Sequence, residues 1–174
     1  MGKYPSYLTD YFPRELDMDA EKFAGYVTLT PTGGQYAQCF LLLPIDAGKI
    51  VVVDEVRAHS TAGGVVKIGL YSTTLTSLET DVAANRGAMD TRIGTGEAVA
   101  TIRAKDNASA LVFTHGVFPI VLAAAGAAEY LPNGWVMESM PDTGVVQQLV
   151  VEGPASADLT VAFTWYEMAV AENK

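Results

Sequence analysis

The sequence predicts an all-β protein: an antiparallel β-sandwich, jelly-roll or immunoglobulin-like, with an extended N-terminal arm. Three features carry this. Runs of β-branched and aromatic residues recur along the chain. Turn signals rich in Gly, Pro, Asn and Asp separate them at intervals of roughly 8 to 12 residues. No sustained helical period interrupts them, so nine or ten strands are expected. A chain of 174 residues suits one domain plus an arm, here residues 25–174 after an arm of residues 1–24. At that length about 70% of the unfolded surface is buried on folding, so neither disulfide nor metal is needed.

The arm holds Tyr4, Tyr7, Tyr11, Phe12 and Phe23, with acids at Asp10, Glu15, Asp17, Asp19 and Glu21. It shows no alternation, and at most one helical turn fits, over residues 17–22. Aromatic side chains bury much area at little entropic cost. Tyr4, Tyr7, Tyr11 and Phe12 are therefore the expected partner-contact residues. The alternative is an arm that folds back over its own domain.

Within the domain, residues 26–30 and 36–43 read as strands around a Pro31-Thr32-Gly33-Gly34 turn. Residues 50–59, with Val52, Val56 and Ala58 inward, and the alternating residues 65–71 are expected to pair as a hairpin. The polar stretch 72–96 is too long for a turn, and Thr76 with Glu79 fits a capping box for a short helix over 78–84. Strands are expected at 97–103, 110–115 and 117–122. The apolar run 116–128 is too short to span a bilayer and reads as buried strand plus loop. Residues 129–139 form a hairpin if Leu131-Pro132-Asn133-Gly134 is its turn. Strands at 145–152 and 158–168 close the domain. In the last, Leu159, Val161, Phe163 and Trp165 share one face and the uncharged Thr160, Ala162, Thr164 and Tyr166 the other.

The net charge of -9 comes without a Lys/Arg cluster, which argues against nucleic acid and against an anionic membrane surface. The N-terminus lacks a signal-peptide core, and its match to a myristoylation pattern (Met1, Gly2, Ser6) is short. Only 18% of residues are charged, below the roughly 25% of ordinary soluble domains, as expected where neighbouring subunits cover part of the surface.

Catalytic signals are sparse. His59 and Ser60 are strand neighbours and point to opposite faces, and no Gly-x-Ser-x-Gly elbow occurs. Cys39, His59 and His115 lack metal-ligand spacing, and Asp17-x-Asp19-x-Glu21 lacks the glycine of a calcium loop. No cofactor, metal or enzymatic activity is expected. Trp135, Tyr130, Tyr71 and His59 are the candidates for a glycan contact, against the alternative that Trp135 and Trp165 are core residues.

Residues 49–72, KIVVVDEVRAHSTAGGVVKIGLYS, and 157–168, ADLTVAFTWYEM, resemble the accessory structural proteins of tailed bacteriophages. These are small β-sandwiches, often with an arm, that decorate capsids or build tail appendages. The decoration, or cement, proteins among them are often trimers that cap sites between capsomers. The resemblance implies a virion structural protein on the capsid exterior, made in the host cytoplasm. It would bind the major capsid protein or other virion proteins as a homo-oligomer, with a trimer favoured. A tail, baseplate or head-fibre component that engages host glycan is the alternative.

Overall fold

The computed structural model describes residues 21–74, 80–81, 86–88, 98–130, 135–138 and 145–169. Their strands are β1 (Glu21–Leu29), β2 (Tyr36–Leu43), β3 (Lys49–Ser60), β4 (Gly64–Thr74), β5 (Thr80–Asp81) and β6 (Arg86–Ala88). There follow β7 (Thr101–Asn107), β8 (Val117–Leu122), β9 (Gly126–Tyr130), β10 (Val136–Glu138), β11 (Val145–Ala155) and β12 (Leu159–Ala169).

They form two antiparallel sheets. The first runs β10-β3-β12-β1-β6, with β9 beside β10 on the same edge of β3; the second runs β5-β7-β2-β11-β4-β8. Without β5, β6 and β7 the orders are β1-β12-β3-β9/β10 and β2-β11-β4-β8, and the chain switches sheet at almost every connection. That is jelly-roll wiring. The segment between β4 and β8 adds strands beyond β1 and β2.

The core lies between the sheets. β12 alternates buried and half-buried residues as its sequence predicts, and Leu159, Val161, Phe163 and Trp165 are all fully buried. Phe23 stacks on Trp165 with ring centroids 5.9 Å apart. Phe23 belongs to β1, since residues 21–24, assigned to the arm from sequence, pair with β12. Glu167, also buried, accepts hydrogen bonds from the Trp165 indole N–H (2.9 Å) and the backbone N–H groups of Val99 and Ala100. It thereby ties the approach to β7 onto β12.

Several local expectations fail for identifiable reasons. β3 and β4 are not a hairpin: β3 pairs with β12, β9 and β10, and β4 with β11 and β8. The chain arches from one sheet to the other through Gly64, whose φ of 143° suits glycine and whose missing side chain leaves room for Pro154. In β3 a bulge between Val53 and Glu55 leaves Asp54 unpaired in the ladder. It lets Val51 and Val53 join Val56 and Ala58 in the core, while Asp54 meets Lys22 Nζ at 3.0 Å.

β9 and β10 both run antiparallel to β3 along one edge, so they are two pieces of one interrupted strand and not the arms of a hairpin. Thr80–Asp81 pairs with β7 as a strand where a helix was expected, and β7 itself begins at Thr101 instead of residue 97.

Residues 110–115 are not a strand either. β7 and β8 lie at opposite sides of the second sheet, separated by β2, β11 and β4. The connection, residues 108–116, is a strap that crosses four interstrand steps, about 19 Å. Nine residues reach at most about 30 Å, enough to cross the sheet without a helix or a further strand.

Two contacts fix the strap on the outward face of the sheet. The Glu152 carboxylate, 1% exposed, accepts hydrogen bonds from Leu111 N–H (2.5 Å), Gln38 Nε2 (2.8 Å) and Lys67 Nζ (3.0 Å). Phe113 lies over Gly69, where an added Cβ would stand 2.5 Å from its ring. Beyond them His115 N–H donates to the Leu70 carbonyl, and Thr114 Oγ1 accepts from Ser72 N–H.

Glu152→Ala would strand the Lys67 ammonium, the Gln38 amide and the Leu111 N–H together. It is expected to cost about 3 kcal/mol in a denaturant unfolding experiment. Thr28→Ala, on the outward face of the other sheet, gives up only an exposed cross-strand hydrogen bond to Thr160 and is the control; it should cost under about 1 kcal/mol.

Candidate interaction surface

The residues that suggested chemistry are kept apart by the fold. Cys39 lies in the core, where burial pushes its thiol pKa far up. His59 is exposed on the outward face of the first sheet, and His115 is exposed on the strap outside the second. Among the described residues no group of three or more His, Cys, Asp or Glu is placed to hold a metal ion. Glu21 is in β1, and Asp17 and Asp19 lie outside the described residues. Ser60 points inward as expected from its neighbour, and its hydroxyl donates to the Ala62 carbonyl.

One serine–histidine contact was not legible in the sequence: Ser72 Oγ and His115 Nε2 are 3.1 Å apart. They line a pocket of about 200 Å³ together with Leu70, Val136, Gln147 and Gln148. Ligand sites are usually larger, about 300 Å³ upwards. Ser72 sits in a regular strand, and among the described residues no carboxylate orients the ring. The contact anchors the end of the strap.

Three of the glycan candidates, His59, Tyr71 and Trp135, do not converge either. His59 and Tyr71 project from the outward faces of opposite sheets. Trp135 is half-buried against the core, its ring centroid 6.0 Å from that of Phe118. Tyr130 pairs with Val56 in the first sheet. The arm residues Tyr4, Tyr7, Tyr11 and Phe12 lie outside the described residues.

What the fold does assemble is an apolar flank. Once the strap has crossed, the chain lays β8 along the side of the second sheet, paired to β4. Ile120 and Leu122 pack against the core, whereas Val117 (44% exposed) and Val121 (76%) face outward, and Phe118 is half exposed. Val65 is the direct partner of Val121 across the ladder, and Val112 stands 84% exposed on the strap. With Val136, these are six of the seven exposed large hydrophobics among the described residues; Tyr26 is the other.

The run 116–128, expected to be buried, is therefore the most exposed apolar stretch described. Residues 108–128 contain no Asp, Glu, Lys or Arg. An apolar surface in which Lys67, opposite Pro119, is paired with Glu152 marks an interaction site on an acidic protein.

Compared with protein-family models, curated proteins and solved structures, the chain matches none.

A thiol reagent should leave Cys39 unmodified in the folded protein and label it fully once the protein is unfolded. Rapid labelling of the folded protein would mean that β2 opens.

Proposed function

We propose that this protein is a structural component of a larger assembly, best read as a virion protein that decorates a phage capsid. The observation that carries the reading is the flank along β8. Apolar side chains are kept outside the domain, beside a Lys67 whose charge is paired with Glu152, in a chain with net charge -9. A face of that composition is suited to burial against another subunit.

The jelly-roll architecture is used by viral capsid domains and by lectins alike, so it supports the reading only by analogy. Resemblance of residues 49–72 and 157–168 to phage accessory proteins points the same way. The function is burial of area on the capsid exterior. One domain covers its neighbours, the arm with Tyr4, Tyr7, Tyr11 and Phe12 ties it to the major capsid protein, and repetition over a symmetric shell multiplies modest contacts. The proposal includes association of the chain with itself. It assigns no catalysis, cofactor, nucleic acid or membrane.

The test is the copy number of this chain in gradient-purified particles, by quantitative mass spectrometry against the major shell protein, for the full chain and for a version lacking residues 1–20. Hundreds of copies of the full chain and few of the truncated one are expected. A handful of full-length copies would move the protein to a tail or vertex, and none would overturn the reading. Equal attachment of the two forms would remove the arm from the mechanism.

A further inference from the structure

We infer that the strap, residues 108–116, is a latch: it lifts off the outward face of the second sheet and closes again as one unit while both sheets stay folded. The inference goes beyond the assembly reading and needs no partner molecule.

The strap is held differently from its neighbours in sequence. Before it, the seven residues of β7 are laddered to β2; after it, the six of β8 are laddered to β4. The strap joins no ladder. It is held by Leu111 N–H on the Glu152 carboxylate, His115 N–H on the Leu70 carbonyl, the hydrogen bonds of Ser72 to Thr114 and His115, and Phe113 over Gly69. Leu111 and Phe113 are half-buried, and the other seven residues are exposed. A segment with few buried apolar contacts and exposed backbone opens locally, at a fraction of the free energy of global unfolding.

Length permits the motion. About 30 Å of chain spans about 19 Å, so the strap bows outward without drawing a residue from either ladder. Its ends suit hinges. Ser109 N–H donates to Asn107 Oδ1 in a local turn, and nothing packs within 4 Å of where a Gly116 side chain would stand.

Opening strands no ion. Lys67 and Gln38 reach Glu152 from β4 and β2, the strands on either side of β11, and keep it when Leu111 leaves. Water takes the place of the Leu111 N–H, and water solvates a carboxylate well. That hydrogen bond aligns the closed strap, and Phe113 over Gly69 is the bolt. The ring needs glycine at position 69, since an added Cβ would stand 2.5 Å from it.

The two states present different surfaces. Closed, the strap shows Val112, 84% exposed. Open, it gives access to Glu152 and to Val150, the neighbour of Gly69 across the ladder, both fully buried when the strap is closed. The latch thus sets which of two faces this side of the sandwich offers.

The experiment is amide hydrogen exchange, resolved by residue in NMR spectra of the full chain, for wild type, Phe113→Ala and Gly69→Ala. The Val150 amide, in the central strand β11, reports opening of the sheet itself. In the wild type, Leu111 and His115 are expected to share one protection factor, at least about tenfold below that of Val150. Both substitutions are expected to lower it at the two positions by a common factor of about ten, with Val150 unchanged. Phe113→Ala adds no atoms to the sheet and carries the test alone if Gly69→Ala disturbs β4. Strap protection equal to that of Val150, unequal responses of Leu111 and His115, or a matching loss at Val150 would each overturn the inference.

Discussion

A buried carboxylate governs the outward side of this sandwich. Glu152 stands in the middle of β11, on the face turned away from the core, and gathers Lys67, Gln38 and the backbone of Leu111 around itself. Burying an ion costs several kcal/mol unless its partners are held in good geometry. The strap supplies one of those partners, so Glu152 and the strap require each other. The strap in turn helps shield the face that carries Phe40 and Val150, both fully buried although neither belongs to the central core cluster. It also delivers the chain to the far side of the sheet, where β8 becomes an edge.

The apolar residues thus fall into two populations. One fills the space between the sheets, with Trp165, Phe163 and Phe23 at its centre. The other, with Val65, Val112, Val117 and Val121, stands exposed along β8 and the strap. Sequence composition registers both as hydrophobic and expects both to be buried. The second population meets that expectation only when another molecule covers it, which is why the low charge content and the exposed flank are two views of one property.

Legibility followed the range of the interaction. The inward and outward faces of β12 and the bounds of β2 and β8 were readable because a strand's alternation and its turn residues are local. Pairing was not. β3 and β4 adjoin in sequence and both look like hairpin arms, but nothing local says that Gly64 turns the chain into the other sheet. Residues 110–115 carry strand-like side chains, yet they cross the strands, held by Glu152 and Gly69, both distant in sequence. Phe23 looked like an arm residue because its partner, Trp165, lies 142 positions away. The apolar run 116–128 reads from sequence as buried strand plus loop; its location at an edge required the topology.

The central claim, that the flank is a covered face in the working assembly, is tested most directly by amide hydrogen exchange of residues 108–128. Exchange should be compared between the dilute free chain and the chain bound in purified particles. The account requires these amides, together with that of Val65, to gain protection on assembly by more than those of the outward face of β1. If residues 108–128 exchange equally fast in both states while protection appears elsewhere, the flank is not the contact and the account fails.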